Sequence, residues 1–495
     1  MKAKLLIFFL LIITSVHAQP FRIQRLGIES GLSNNFVMGI TQDRQGFIWI
    51  STESGLNRFD GQKFRVYKKH NFESKRTISG DELNIVYADK FDDKIWVATQ
   101  RDGLIEFNCV SEKFQFYTHD PEDSLSLPTN DITDVINASD GNLWITTYSN
   151  GFSYFNKTSQ TFTNYNQNSL PGLVSNQIWT IAEAQNGEIY LGHENSGLTI
   201  YSPQSNTIKN FRYDPQNPLS LPGDRVNKIF IDYNQNIWVG TNNGLALYDR
   251  QNETFTNFRH EEKNTSSLLA NFIYDITQTH DKKLWIGTEN GGISILSLQQ
   301  SLFSKPQEIV FENIEPGDDP YSLSNKTIRS IFEDSFNNIW VGTYGGGLNF
   351  ISHQAPYFSQ LCYTPGEKNS LTNKTAWGIA ADEKGRIWVG TDGGGINVFD
   401  KDILVESYNK TNSALTDDAI LSAFRDSKGN IWFGTFKGGV MVRKADTKKL
   451  RPFPISNISD IRCITEDVEG NIWFGGSTGI HLEHPPSGHT QHYTV

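Results

Sequence analysis

Residues 334–350 read D-S-F-N-N-I-W-V-G-T-Y-G-G-G-L-N-F, and copies of this stretch recur along the whole chain. Each copy has an Asp, a short polar turn, an apolar residue, an aromatic, another apolar residue, a small residue and then usually Thr, with Gly close behind. The aromatic stands at Trp49, Trp96, Trp144, Tyr190, Trp238, Trp285, Trp340, Trp388, Trp432 and Trp473. Successive aromatics lie 41 to 55 residues apart. A near-constant period in that range is the mark of propellers, solenoids and other repeat arrays.

Within each copy, apolar and polar residues alternate with period two, which is the pattern of a strand and not of a helix. The fifth copy predicts four strands, A to D, at Val226–Ile231, Ile237–Gly240, Leu245–Tyr248 and Thr254–Phe258. Four short strands with one buried aromatic make a β-propeller blade. The aromatic on strand B is expected to fill the space between neighbouring blades. The small residue two positions on (Gly240, Gly287, Gly342, Gly390, Gly434, Gly475) should let the adjacent sheet approach. Asp and Gly in the A–B connection supply turn chemistry. The motif builds blades; it is not a catalytic box.

The chain has 495 residues, which one or two propellers can absorb. A net charge of −11 and the lack of any basic run argue against a nucleic-acid partner. Cys109, Cys362 and Cys463 show no metal-ligand spacing and read as small apolar fillers. Residues 1–18 have a basic start at Lys2 and Lys4, an apolar Leu5–Ile13 run and a small-residue exit at Ala18. They read as a signal peptide that directs export.

Phe21–Leu26 alternates like a D strand, yet it precedes the first A strand. A leading outer strand can pair with the last blade and close the ring, removing exposed sheet edges. The longest aromatic spacing marks residues 299–320 as irregular, and His353-Gln354-Ala355-Pro356 breaks the rhythm after the seventh copy. The expected fold is all-β: a seven-bladed propeller over residues 19–353, then an incomplete second propeller of about three blades over residues 354–495. Residues 357–362 would be the leading strand of the second ring. A single ten-bladed ring is the rival arrangement.

The copies follow L-x-x-[ND]-x-[IV]-x-x-I…D-x-x-G-x-[IL]-W-[IV]-G-T-x-x-G-[LI], and over nearly all of residues 21–495 they resemble the regulator-propeller repeats of hybrid two-component sensors in Gram-negative gut bacteria. The resemblance implies two seven-bladed propellers in the periplasm, then a β-sandwich, a membrane span, a histidine kinase, a receiver and often a DNA-binding domain. It also implies an oligosaccharide ligand, anchoring of the parent protein in the inner membrane, and a homodimer among the expected assemblies. Only about ten blades are present here, so the chain is expected to be an amino-terminal part of such a sensor, reaching the membrane only through a missing carboxy-terminal part, or a truncated relative. It would bind a small molecule or oligosaccharide, would not contact nucleic acid, and would not itself be an enzyme.

No H-E-x-x-H, G-x-S-x-G or P-loop is present, and no cofactor, metal or catalytic residue is expected. Streptogramin lyases and glycan-cleaving propellers are the enzymatic rivals, and an interaction scaffold is a third class. His193, His260 and His280 are scattered and read as surface residues. One position is more informative. Between the apolar residues of strand A, the place of Met38 becomes Asn84, Thr133, Trp179, Asn227, Tyr274 and Arg329 in the next six copies. The B–C tips vary as well: Glu53, Arg101, Tyr148, Glu194, Asn242, Glu289 and Tyr344. Trp179, Tyr274, Arg329, Asn84, Asn227, Tyr148 and Tyr344 are therefore the expected ligand-binding residues, with aromatic rings for stacking and polar groups for hydroxyls or acids.

Overall fold

The computed structural model describes residues 23–68, 82–298, 309–317, 321–353, 361–366, 368–455, 460–484 and 489–493. The predicted signal peptide, residues 21 and 22 of the leading strand, and residues 357–360 of the second leading strand lie outside that set. The described residues form ten four-stranded antiparallel sheets, each one blade. A single 3-10 turn at Ile28–Ser30 is the helical content among them. The chain divides into two compact units, Met1–Ala355 with seven blades and Pro356–Val495 with three.

Blade 5 shows the repeat plan, with strands at Val226–Ile231, Ile237–Thr241, Gly244–Asp249 and Thr254–Phe258. The Asp of the motif does more than turn the chain. In blade 1 its Oδ1 accepts the N–H groups of Gln45 and Phe47, while Oδ2 accepts the Trp49 indole N–H at 2.7 Å. The same indole-to-Asp bond ties Trp96 to Asp89, Trp238 to Asp232, Trp340 to Asp334, Trp388 to Asp382, Trp432 to Asp426 and Trp473 to Asp467. A buried indole needs an acceptor, and the turn carboxylate provides it. Where the turn carries Ala138 or Ala184 instead, a Glu takes over: Trp144 donates to Glu183, and the Tyr190 hydroxyl to Glu188.

Each aromatic but Trp473, which has no blade after it among the described residues, fills the seam to the next blade. Trp238 packs on Ile273, Ile276 and Leu284 of blade 6, and Trp340 on Val37 and Ile40 of blade 1. The small residue admits that neighbour, since a Cβ on Gly240 would lie 2.8 Å from Ile273 Cγ2, and one on Gly342 would collide with Val37 Cγ1. The motif's Thr locks the B–C turn by donating to its glycine carbonyl, as Thr52 does to Gly55 and Thr241 to Gly244.

The first ring closes twice. Ile23–Leu26 completes blade 7 by pairing antiparallel with Leu348–Ile351, Ile23 opposite Ile351 and Leu26 opposite Leu348. On the other side of the sheet the last residue of strand A latches neighbouring blades by accepting a turn N–H. Asn137 accepts from Lys90 and Gln278 from Tyr233, and Gln42 of blade 1 accepts from Ser335 of blade 7 at 2.8 Å. A seven-membered closure rules out the ten-bladed arrangement. Residues 299–320, expected to be irregular, in fact contain the outer strand of blade 6, Phe311–Ile314, paired with Ile293–Ser297. The extra length there sits in the C–D connection.

In the second unit the blades pack by the same rules, but its outer faces are bare. Ile379 is 64% exposed, whereas its counterpart Ile331 in the closed ring is 4% exposed. Trp377 is also exposed, and the space a Gly475 Cβ would take meets only Cys463 of its own blade, at 3.5 Å. Of the three cysteines, Cys109 is buried as an apolar filler, its thiol pushed up to about 12 by burial. Cys463 departs from that expectation and is exposed: it takes the register position of Ser422, which bonds Ile461 O of the next blade, and among the described residues no blade follows the last one. A chain of residues 19–353 is expected to unfold in one cooperative transition, and residues 357–495 alone to self-associate through their open faces. Two transitions in the first, or a monodisperse monomer by light scattering in the second, would contradict this.

Candidate functional site

Strand A is the innermost strand of each blade, so one of its edges pairs with strand B and the other faces the axis. Its axial N–H and C=O groups need partners. Side chains of the preceding blade supply several. Asn84 donates to Ile132 O at 2.7 Å, Thr133 to Ile178 O at 2.7 Å and Asn227 to Ile273 O at 2.9 Å. One residue further along the strand, Asp134 accepts from the Thr180 hydroxyl and the Ile181 N–H, and Asp275 from the Ile331 N–H at 2.7 Å. Part of the variation in the strand-A ring thus reflects the stitching of blade edges.

The ring encloses a cavity of about 540 Å³, lined by all seven residues: Met38, Asn84, Thr133, Trp179, Asn227, Tyr274 and Arg329. Below them lies a charged waist. Lys228, a third exposed, pairs with Asp275 at 2.9 Å. Burial would depress its ammonium, but Asp275 and Asp134 together hold it above the ordinary lysine range. Burial pushes the Asp134 carboxyl up, against the opposing pull of Lys228 and of the Ile181 N–H. The sequence comparison of strand A missed this waist because it followed only one of the six positions; the signal was Asp or Lys in the middle of otherwise apolar strands.

At the mouth, rings and guanidinium groups form a continuous arc across blades 3 to 7. Tyr148 sits edge-on to Trp179, centroids 6.1 Å apart. The Arg225 guanidinium lies 5.8 Å from the Trp179 ring centre and 5.4 Å from that of Phe272. Phe272 contacts Tyr274 at 4.8 Å, and the Arg329 guanidinium stacks 4.2 Å over Tyr274. Arg225 is held by Glu194 at 3.3 Å and by Asn227 Oδ1 at 3.1 Å, while the Tyr274 hydroxyl donates to Glu289 at 3.3 Å. Of the residues expected to bind ligand, Trp179, Tyr274, Arg329 and Tyr148 share this arc. Asn84 and Asn227 line the cavity with their amide N–H groups committed to blade edges. Tyr344 stands apart, edge-on to Phe36 at 4.6 Å on the seam of blades 7 and 1.

Arg225 and Phe272 were not foreseen. They occupy the residue just before strand A, which reads Phe36, Glu82, Asp131, Gln177, Arg225, Phe272 and Thr327 from copy to copy. That variability is the same signal, one step earlier. His193 corrects an expectation: it is fully buried, replacing the lock Thr of blade 4, and its Nε2 bonds the Thr199 hydroxyl at 2.7 Å. His260 and His280 are exposed as expected; their Nδ1 atoms face Leu268 O and Glu333 Oε1.

Comparison with known proteins converges on one repeat. The family model described as "Two component regulator propeller" matches residues 31–54, 126–149, 220–243, 267–290, 322–345, 370–393 and 414–437. The extracellular domain assigned to a hybrid two-component system of B. thetaiotaomicron is similar at 42% identity and a TM-score of 0.66, covering 96% of this chain. The chain spans 60% of that domain. A histidine kinase of Formosa agariphila is 45% identical over 49 residues, 10% of this chain and 4% of the kinase. A streptogramin B lyase structure matches at 11% identity and a TM-score of 0.49, covering 67% of this chain and 97% of the lyase, too distant to bear on chemistry. By these matches, the chain carries two-component regulator propeller repeats in seven of its ten blades.

Proposed function

We propose that the chain is an exported, periplasmic ligand-sensing module of a hybrid two-component signalling protein, and that it binds an oligosaccharide at the mouth of the first ring without transforming it. The observation that carries the reading is the aromatic and guanidinium arc from Tyr148 to Arg329, set over a concave polar channel. Flat rings cover the apolar faces of sugars, and a few placed polar groups orient their hydroxyls. The similarity to an extracellular sensor domain and the export-type segment at residues 1–18 support the setting.

Trp179→Ala is expected to weaken binding of a plant-cell-wall and host-glycan oligosaccharide panel by at least about tenfold, or ~1.4 kcal/mol. Trp179 is only half-buried, so thermal stability should change little. Calorimetry on the parent and the variant checks this. Equal affinities would place the ligand elsewhere, and turnover of any panel member would favour an enzyme.

A further inference from the structure

Arg225, Lys228 and Arg329 stand at the mouth and waist of the first ring, and the first two are already matched. Lys228 pairs with Asp275 at 2.9 Å, and Arg225 with Glu194 at 3.3 Å. Arg329 differs. Among the described residues it makes no ion pair, and its Nε is buried with no hydrogen-bond partner. Glu289, the nearby acid on the adjacent tip, accepts the Tyr274 hydroxyl instead. The Arg329 guanidinium nevertheless lies fixed on the Tyr274 ring, 4.2 Å from its centre. Stacking of this kind orients a planar fork while leaving its N–H edge available.

We propose that the mouth takes an anionic saccharide whose carboxylate or sulfate pairs with Arg329 while the sugar ring lies on the Trp179–Tyr274 arc. This rests on the reading of the mouth as a ligand site. A guanidinium lacking a counter-charge in a concave, partly desolvated setting attracts anions more strongly than it would in bulk water. The fork geometry suits the two oxygens of a carboxylate or sulfate group, which a neutral sugar cannot offer. The pairs at Arg225 and Lys228 are already neutralised, so the preference for acid is assigned to Arg329.

The test uses the whole chain and chemically matched probes: oligogalacturonides and glucuronoxylan oligosaccharides beside their carboxyl-reduced forms, and sulfated chondroitin disaccharides beside their desulfated forms. At least one acidic probe should bind tenfold or more tightly than its neutral counterpart, and added salt should narrow the gap. Arg329→Gln should abolish the gap without weakening the neutral partner, and Arg329→Lys should keep part of it. The matched pairs also tell carboxylate from sulfate recognition. If acidic and neutral partners bind alike and Trp179→Ala weakens both, the sensor reading stands and the acidic preference is overturned. If the gap survives Arg329→Gln, the assignment to Arg329 is overturned. If no probe binds, both readings fall.

Discussion

Replacing Trp238 by alanine is expected to lower the unfolding free energy of the first ring by about 3–5 kcal/mol, the range for truncating a large core aromatic. Trp238 is fully buried in the seam between blades 5 and 6, against Ile273, Ile276 and Leu284, with Phe258 at 6.1 Å. The indole N–H also donates to Asp232 at 3.0 Å, so the substitution removes a donor from a carboxylate that is itself 1% exposed. Rigid sheets on both sides cannot collapse into the vacated space, which places the loss in the upper part of the range. Tyr233, in the same blade but 71% exposed, is the control. Its alanine variant should stay within about 0.5 kcal/mol of the parent. Guanidinium denaturation of both variants decides the matter: equal midpoints would refute the blade-core role of the repeated aromatic.

A second large effect should appear on mild acidification and trace to His193. The Thr199 hydroxyl donates to Asn210 Oδ1 at 2.7 Å, and the Asn210 amide is oriented by its bond to Gly172 O. Thr199 can then only accept from His193, which fixes the neutral Nε2–H form and leaves Nδ1 buried without a partner. Burial holds the imidazole down to about 4, from an ordinary 6.5. Between those values the unfolded chain binds a proton that the folded chain refuses. Stability from this residue is therefore complete above pH 6.5 and falls as pH drops toward about 4. At ~1.4 kcal/mol per pH unit the whole window is worth about 3 kcal/mol, of which about 2 should be lost by pH 5. His193→Gln keeps a donor for Thr199 and cannot titrate, so its stability should decline less over the same interval. Parallel curves for parent and variant between pH 7 and 5 would show that His193 is not the sensitive group.

The architecture was legible because each blade repeats the same local problem. The spacing of the aromatics gave the blade count, and the out-of-phase strand before Val37 pointed to the closure at Leu348–Ile351. The strand boundaries of blade 5 follow from alternation alone, to within one residue. Legibility failed where one copy departs from the others. His193 looked like a surface histidine because histidines usually are; its place in the repeat, where other copies carry the buried Thr, argued otherwise. The outer strand of blade 6 was hidden because an insertion separates it from its partner, and alternation over four residues is weak evidence.

The binding-site picture divides in the same way. Variation at the second residue of strand A identified the cavity lining, since a position that only packs keeps one character across copies. It did not separate Asn84 and Asn227, which stitch blade edges, from Trp179, Tyr274 and Arg329, which present faces and charge to the mouth. Nor did it find Arg225, Phe272 or the Asp134–Lys228–Asp275 waist. By itself, then, the sequence determined the blades, their closure and the position that lines the axis, because these depend on alternation and period along the chain. Only the tertiary structure decided which lining groups are already matched and which remain available. Those partners come from neighbouring blades roughly 50 residues away, where hydrogen bonding and charge pairing depend on distances that no local pattern encodes.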